Sequence, residues 1–290
     1  MQLSNLVIVH GAAALILLSV AEIFFFKKDH FFEHHKKDLL ASLCLGIGSV
    51  IVGSLAKGTI FLIYSVIYEY RLFTMPVNSW MAWSLCFFAD DLSFYWFHRL
   101  SHQVRFLWAS HAVHHSSETF SLASALRVPV TSQLTGNFLF WAWMPLVGIE
   151  PVMVILMKSL SITYQFFVHT EVVKKLPTFI EYLFVTPSHH RVHHGSNVEY
   201  LDKNHGGVLI IWDRLFGTFQ AEMHMPIYGL TDKINSTNPV VLSIHEYRKM
   251  IHDIRKAKSA KELLNYIFNA PGWSHDGRSQ TAKQLQARLK

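Results

Sequence analysis

The sequence predicts an all-α fold, a polytopic membrane bundle of about four to five membrane-inserted helices with a helical cap on the cytoplasmic side. Two observations lead to this class. Of the 290 residues, 51% are hydrophobic and 16% are charged, and the mean hydropathy is +0.23, whereas soluble domains average about 25% charged residues. The apolar residues also gather in runs of about 17 to 20, the length that a helix needs to cross a bilayer.

The net charge limits the kinds of partner that the chain is expected to bind, and the cysteines limit the kinds of disulfide and metal site. The formal net charge is +6 and the pI is about 9.2. Basic residues flank the apolar runs or lie near the carboxyl terminus, without the basic and aromatic alternation of a nucleic-acid surface. We therefore predict contact with a membrane surface and no nucleic-acid partner. Cys44 and Cys86 both lie in apolar segments, so neither a disulfide framework nor a thiolate metal site is predicted.

The first apolar run covers residues 6–26. It lacks the basic start and the small-residue cleavage site of a signal peptide, so we predict an uncleaved membrane helix. Because Lys27, Lys28, Lys36 and Lys37 follow it, the positive-inside rule predicts a cytoplasmic loop here and an amino terminus on the opposite side.

Further apolar segments complete the predicted bundle. Residues 39–56 and 80–97 are predicted to cross the membrane, and residues 131–147 and 152–168 to form a membrane hairpin. Residues 59–70 are too short to cross and are predicted to lie at the interface. This topology brings every histidine-rich segment to the cytoplasmic side.

The composition changes near residue 240. Residues 1–240 hold the apolar runs and the histidines described below, and we expect them to form an integral-membrane domain. Residues 241–290 are expected to form a basic helical tail. Within that tail, Ser259 and Glu262 have the spacing of a capping box, and Pro271 follows, which predicts a short helix.

Histidines cluster in two stretches about eighty residues apart. Residues 98–115 contain five histidines, and residues 189–194 repeat the HxxHH spacing found in the first stretch. On a helix, positions i, i+7 and i+11 share one face, which puts Asp91, His98 and His102 together. An isolated HxxxH pair occurs often by chance, but two such clusters are better explained by metal binding, because imidazole is a ligand for zinc, copper, iron and nickel.

The candidate ligands are nine histidines in or between the two stretches. They are His98, His102, His111, His114, His115, His169, His190, His193 and His194. A structural zinc ion takes four ligands, so nine imidazoles suit two metal ions better than one. His189, beside the second cluster, is a candidate further ligand. Asp91, Glu118 and Asp213 are candidate carboxylates that would accept a hydrogen bond from the imidazole nitrogen that does not bind metal, and so fix the tautomer.

The donor set favours oxidative chemistry. Neutral imidazoles leave the charge of two divalent cations uncompensated, which favours anionic oxygen ligands and dioxygen activation by paired iron. We therefore predict two iron ions and O2, while noting that zinc binds the same donors and can occupy such sites in a crystal. A metal site at the cytoplasmic edge of a helix bundle is accessible to a lipid chain or a sterol from the bilayer.

These motifs resemble the fatty acid hydroxylase superfamily, also called the sterol desaturase family. The resemblance covers about residues 80–220 and is carried by H-R-L-S-H at 98–102, H-A-V-H-H at 111–115 and H-R-V-H-H at 190–194. The neighbouring T-P-S-H-H-R-V-H-H-G at 186–195 is most similar to the alkylglycerol monooxygenase branch. W-D-R-L-F-G-T-F at 212–219 is shared more widely in the superfamily.

The resemblance implies a membrane di-iron enzyme that uses O2 to oxidise an unactivated C–H bond of a lipid, with the nine histidines as ligands. The electrons come from an external reductant, either tetrahydrobiopterin or a redox-partner protein, and the sequence leaves both open. Other members have HxxxH before the last cluster, whereas Gln165 stands four residues before His169 here. One iron is then short of a protein ligand or completed by water, and Asn204 is a candidate to hold that water.

Three other functions remain as alternatives to a hydroxylase or ether-lipid monooxygenase. A sterol or acyl desaturase would remove two hydrogens from the lipid, whereas a hydroxylase adds oxygen, so product analysis separates them. A histidine-rich metal transporter would line a pore across the membrane, but the histidines here gather at one edge. Haem binding through two histidines needs far fewer imidazoles than this chain offers.

Overall fold

The computed structural model describes residues 14–25 and 31–289. In these residues the chain is helical, and extended pairing is limited to isolated bridges of Phe184 with Leu209 and of Gly195 with Tyr228. The predicted all-α class is therefore confirmed for the described part of the chain. The helices are α1 (Ala14–Phe25), α2 (Phe31–Glu69), α3 (Trp80–Gln103), α4 (Arg105–His115), α5 (Leu122–Ala125), α6 (Trp143–Leu146), α7 (Pro151–Phe167), α8 (Thr178–Leu183), α9 (Pro187–His193), α10 (Ile211–Leu215), α11 (Pro239–Ile254), α12 (Ala260–Phe268) and α13 (Ala282–Ala287).

Helix α2 corrects one sequence prediction. Residues 39–56 and 59–70 were predicted as a crossing and a separate interfacial piece, but they belong to one helix of 39 residues. Lys57 and Gly58 interrupt the apolar pattern without breaking the helix, because no proline lies in this segment to remove a backbone hydrogen bond. At 1.5 Å per residue the helix is about 58 Å long. Among the described residues it supplies the one segment, His35–Glu69, that is long and apolar enough to cross a membrane, with a mean hydropathy of 2.2.

Helix α1 is the described part of the first predicted crossing. The remaining residues of that crossing, and the predicted position of the amino terminus, lie outside the described residues. Glu22 connects α1 to the chain just after His115 and just after His169. Its carboxylate accepts a hydrogen bond from the Leu122 backbone N–H at 2.6 Å and another from the Thr170 hydroxyl.

Helix α3 contains the crossing predicted at residues 80–97 and continues to Gln103. It begins after Ser79, whose hydroxyl oxygen accepts from the Ala82 N–H. Val104 then adopts an extended conformation, with φ −116° and ψ 116°, and separates α3 from α4. The first five clustered histidines therefore lie on two consecutive helices.

The predicted membrane hairpin has only one long helical arm. The second arm is α7, but residues 131–147 form two 3-10 helices, Ser132–Thr135 and Asn137–Trp141, followed by the four-residue α6. Gly136, at φ +73°, interrupts the first arm with a left-handed turn. Trp141 folds back into the protein and donates its indole N–H to Asp90 at 2.7 Å. The prediction of two matching arms is therefore wrong.

Two apolar cores hold the bundle together. The larger core joins α2, α3, α6 and α7 and comprises Tyr64, Ala82, Cys86, Trp141, Met144, Ile149, Met153, Val154 and Met157. The smaller core joins α2, α4 and α11 through Ala41, Leu45, Val113 and Leu242. Between these cores, α3 and α4 are fixed with their histidines facing the chain that follows α7.

The carboxyl-terminal helices pack on the histidine-bearing helices. Arg105 at the start of α4 forms a 2.6 Å ion pair with Asp253 of α11. The short helix predicted after Ser259 is confirmed as α12, whose Glu262 N–H donates to the Ser259 hydroxyl oxygen at 3.2 Å. The boundary proposed near residue 240 stays a prediction, and residues on both sides of it surround the site described next.

Candidate metal centre

Three helices bring five histidines to one point, called here the five-histidine group. Helix α3 supplies His98 and His102, helix α4 supplies His111 and His115, and helix α9 supplies His193. Each ring offers one nitrogen, and these five nitrogens all lie within 4.8 Å of one another. The i, i+4 spacing on α3 and on α4 puts each pair on one face, which is why the rings converge.

A second set, called here the four-histidine group, lies beside the first. It consists of His114 from α4, His169 just after α7, and His190 and His194 from the end of α9, and its donor nitrogens also lie within 4.8 Å of one another. Helices α4 and α9 contribute to both groups. The rings of His115 and His194, one from each group, consequently stack with their centres 4.4 Å apart.

Burial keeps these imidazoles neutral. Seven of the nine are buried, and His111 and His114 are partly exposed. Desolvation lowers the pKa of His114 from 6.5 to about 4. The pKa values of His115, His190 and His194 are also held well below 6.5, first by desolvation and then by neighbouring histidines. A neutral imidazole has one N–H and one lone pair, and the lone pair can bind a metal ion.

Backbone carbonyls set which nitrogen carries the hydrogen. The Nδ1 atoms of four rings face carbonyl oxygens: His98 to His205 at 2.9 Å, His114 to Arg127 at 3.2 Å, His169 to Gln165 at 2.7 Å and His193 to Lys203 at 2.9 Å. Because a carbonyl oxygen only accepts, Nδ1 must donate. The Nε2 atom of each of these rings therefore presents its lone pair.

The spacing of the Nε2 atoms fits shared cations. The Nε2 atoms of His114 and His169 are 3.3 Å apart, yet both carry lone pairs, which repel without a cation between them. Two nitrogens bound at about 2.1 Å to one ion would be separated by about 3.0 Å at a right angle and about 3.4 Å at a tetrahedral angle. In addition, the buried Nε2 atoms of His102, His193 and His194 have no hydrogen-bond partner. The donor set present therefore fits two metal ions.

Two carboxylates fix the segment behind the five-histidine group. Asp213 accepts from the backbone N–H groups of His205 and Gly206, both at 2.7 Å. Asp91 on α3 accepts from the N–H groups of Val208 at 2.7 Å and Leu209 at 3.0 Å, and from the Trp212 indole at 2.9 Å. Neither carboxylate bonds a histidine ring. Both instead hold in place the loop whose carbonyl, at position 205, orients His98.

The structure places two other candidate residues away from the groups. The ring of His189 turns to Glu181, with 3.1 Å between its Nε2 and a carboxylate oxygen, so its side chain is outside both groups. Glu118 forms a 2.9 Å ion pair with Lys233, and 58% of its side chain is exposed. Proximity in sequence to a histidine motif therefore did not bring either side chain to the centre.

Asn204 bonds backbone groups with its side-chain amide, whereas Gln165 contributes its own backbone carbonyl. The Asn204 amide donates to the carbonyls of His189 at 3.0 Å and Gln220 at 2.8 Å, and its oxygen accepts from the Gln220 N–H at 2.8 Å. Both hydrogens of this amide and one lone pair of its oxygen are therefore engaged with backbone, and its role in holding a water stays a prediction. Gln165 orients His169 through its carbonyl, and the group to which His169 belongs has one imidazole fewer than its neighbour.

Two residues that support the centre were not assigned from the sequence. Arg127 is 1% exposed and joins α4 to α2, because its guanidinium forms a 2.7 Å ion pair with Asp38 while its carbonyl orients His114. His205 is completely buried, and its ring centre is 5.0 Å from that of His102. The available signal for His205 was its position between a histidine cluster and an apolar run, which is too weak to assign a role.

A cavity of about 310 Å³ reaches both groups, touching His102, His115 and His193 of one and His194 of the other. Its other walls include Trp108, Asp202, Glu246, Trp273 and Leu285. Segments on both sides of the centre, including the carboxyl-terminal one, therefore shape the space next to the histidines.

Comparison with known proteins agrees with this geometry. Residues 83–218 match the family model for fatty acid hydroxylase, and this range holds all nine histidines. The chain therefore contains a fatty acid hydroxylase domain, and the resemblance stated from the motifs is confirmed.

Individual relatives are alkylglycerol monooxygenases. The chain is 38% identical to the one from Homo sapiens over 237 residues, which cover 81% of this chain and 53% of that protein. It is 37% identical to those from Danio rerio, over 82% of this chain and 53% of the relative, and Xenopus tropicalis, over 81% and 52%. The chain thus spans about half the length of the curated relatives it matches. No solved structure matches it.

Proposed function

We propose that this chain is a membrane di-iron monooxygenase that uses O2 to hydroxylate a C–H bond of an ether lipid. The observation that carries the proposal is the pair of adjacent imidazole groups, which offer five and four nitrogens, each set within 4.8 Å of one another. The relatives named alkylglycerol monooxygenase favour an ether lipid over a fatty acyl or sterol substrate. A sterol or acyl desaturase is the alternative from the same superfamily.

We assign the nine histidines as the ligands of two iron ions, one ion in each group. When bound, paired iron supplies dioxygen activation, although zinc also fits imidazole donors. The protein contributes the orientation of the rings, through the carbonyl bonds to Nδ1, and a buried environment that excludes bulk water. The electrons are proposed to come from an external reductant, either tetrahydrobiopterin or a redox-partner protein.

The cavity is proposed to receive the polar end of the lipid. Arg105 and Lys249 in its walls are paired with Asp253 and Asp232. Of the remaining wall carboxylates, Asp202 is 3.6 Å from the His102 ring and Glu246 is 3.9 Å from His245, distances too long for strong hydrogen bonds. Carboxylates accept hydrogen bonds and repel anions, so this lining suits hydroxyl groups better than phosphate.

We further propose a multi-pass membrane protein with the metal centre on the cytoplasmic side. Exposed leucines on α2, such as Leu55 at 78% and Leu62 at 65%, suit contact with lipid. Lysines before and within the first turns of α2, Lys28 and Lys36 among them, support a cytoplasmic position for that end. Without the arm at residues 131–147, about four inserted helices remain the proposed number.

The test combines metal analysis with lipid analysis. The full chain is purified anaerobically and compared with His114→Ala and with His224→Ala, whose histidine is exposed and outside both groups. We expect about two iron ions per chain in the wild type and in His224→Ala, and a clear loss in His114→Ala. Cells that express the wild type should lose one ether-lipid class, and cells that express His114→Ala should keep it.

The products distinguish the two candidate reactions. A monooxygenase adds one oxygen atom from O2 to the lipid, which 18O2 labelling detects, whereas a desaturase product contains no label and has lost two hydrogens. A wild-type chain without bound metal, or lipidomes that are the same with and without the active protein, would contradict the proposal.

A further inference from the structure

His205 stands next to the five-histidine group but is not one of its members. It lies in the loop between α9 and α10, and its backbone N–H donates to Asp213 at 2.7 Å. Its side chain is 0% exposed. Its ring centre lies 5.0 Å from that of His102, 5.7 Å from that of His98 and 5.8 Å from that of His193. Contacts within the group span a similar range, from 4.3 Å to 6.4 Å.

Neither ring nitrogen of His205 has a hydrogen-bond partner of normal geometry. The backbone carbonyl of Asp202 interacts with the ring, but not at the distance and angle of a normal hydrogen bond. Tyr95 is the nearest aromatic neighbour outside the group, and its hydroxyl is already engaged with Thr218 at 2.9 Å. The ring thus has two nitrogens without a normal hydrogen bond and no water-exposed surface.

The position of the His205 ring suits a hydrogen bond to a metal-bound water better than direct binding to the cation. The five members of the group have donor atoms within 4.8 Å of one another, and His205 is outside that set. A nitrogen that binds the cation directly stands about 2.1 Å from it, whereas one that reaches it through a single water stands about 4 Å away. Five imidazoles also leave one position open on an iron ion with six ligands.

We propose that His205 holds a water molecule in the remaining position of the cation bound by the five-histidine group. His205 is then a positioning residue, and it is a tenth imidazole of the centre beyond the nine assigned as ligands. The inference rests on the proposed function, because it requires that group to hold a metal ion. It explains why a histidine with two unpartnered nitrogens is completely buried at this place.

The test uses Co²⁺ as the probe, because its visible spectrum reports both occupancy and the ionisation of bound water. The full-length protein in detergent is loaded with Co²⁺ as wild type, His205→Phe, His205→Gln and His189→Gln. Phenylalanine keeps the ring volume without nitrogens, and glutamine restores a hydrogen-bonding group that is a poor metal ligand. His189→Gln is the matched control, since His189 is also buried but faces Glu181.

We expect His205→Phe to release one of the two ions at a chelator concentration about 10- to 100-fold lower than the wild type does. The pH midpoint of the Co²⁺ spectrum should also shift in His205→Phe. His205→Gln should restore most of both properties, and His189→Gln should match the wild type. If His205→Phe does not fold, His205→Met, which also lacks a hydrogen-bonding nitrogen, takes its place.

The outcomes separate the two proposals. Wild-type protein that binds no Co²⁺ contradicts the metal centre itself. Wild-type protein with two ions, beside a His205→Phe variant with the same retention and the same pH midpoint, overturns only the role of His205. Equal loss of one ion in His205→Phe and His205→Gln would indicate that His205 binds the metal directly, which also overturns the water-mediated role.

Discussion

At the scale of single residues, four imidazoles of the centre donate their Nδ1 hydrogen to backbone carbonyls. Carboxylates were expected in this position, but Asp91 and Asp213 bond the loop behind the rings instead. Neutral partners orient an imidazole without offsetting the charge of a bound cation. The positive charge of two metal ions would therefore be left for ligands from solution, which is consistent with the proposed use of O2.

The first prediction concerns Asp91, whose carboxylate accepts three hydrogen bonds in a buried site. Asp91→Asn replaces one acceptor by an N–H₂ group that faces other donors. We expect the free energy of unfolding to fall by about 2 to 3 kcal/mol. The measurement is denaturant unfolding in detergent.

Asp276→Asn serves as the control for Asp91→Asn, since that carboxylate lies at the surface and pairs with the exposed Arg278. Its unfolding should stay close to the wild type. Equal stability of the two variants would show that the bonds to Asp91 do not hold the loop.

At the scale of elements, the position of α4 depends on its contact with α2. The Arg127 guanidinium bonds Asp38 and Ser42 on α2, and its carbonyl orients His114. One turn further along α2, Gly46 allows close approach, because a Cβ there would lie 2.7 Å from the Leu126 carbonyl oxygen. Gly53, on the same helix, has no neighbouring atom within 4 Å of such a Cβ. The two glycines therefore have different roles.

The second prediction compares these two glycines. Alanine improves helix propensity at both sites by about 0.5 to 1 kcal/mol. At Gly46 we expect a net loss of about 1 to 3 kcal/mol, because the new methyl group meets backbone that cannot move away cheaply. At Gly53 the gain should remain.

Thermal unfolding in detergent measures both glycine variants. We expect the unfolding midpoint of Gly46→Ala to fall and that of Gly53→Ala to rise. Gly46→Ala should also bind less metal, because the Leu126 to Arg127 segment orients His114. If Gly46→Ala is as stable as Gly53→Ala, the close packing of α2 on that segment is contradicted.

At the scale of the whole molecule, one buried centre gathers nine neutral imidazoles from helices that are far apart in the chain. Their depressed pKa values make the metal-free protein sensitive to acid. An unfolded histidine takes up a proton below about pH 6.5, whereas the folded His114 does so only near pH 4. Between these values the unfolded state binds more protons, so stability falls as the pH falls.

The third prediction follows from this imbalance. Each histidine that stays neutral in the folded protein lowers the stability by about 1.4 kcal/mol per pH unit below 6.5. Chelator-treated protein should therefore unfold at a much lower temperature at pH 5.5 than at pH 7.5. Iron-loaded protein should unfold at a higher temperature at both pH values, because the ions bind only the folded state, but it should lose a similar free energy between them, because the folded rings are already neutral at pH 5.5. A metal-free midpoint that does not change with pH would be inconsistent with neutral burial.

The sequence by itself determined the helical class, the start of α3 at residue 80 and the nine histidines that the structure brings together. These features are encoded locally, because helical periodicity and HxxHH spacing depend only on neighbours along the chain. The continuity of α2 and the irregular arm at residues 131–147 were missed. In both places the apolar pattern alone does not say whether a helix continues or breaks.

Only the tertiary structure decided how the nine divide into groups of five and four, and which polar residues stand beside them. His98 and His193 have ring centres 4.3 Å apart although they are distant in sequence. Glu118 and His189 adjoin the motifs but face Lys233 and Glu181. A side chain's partners are set by how whole helices pack and which way each ring points, and neither is contained in the local pattern of residues.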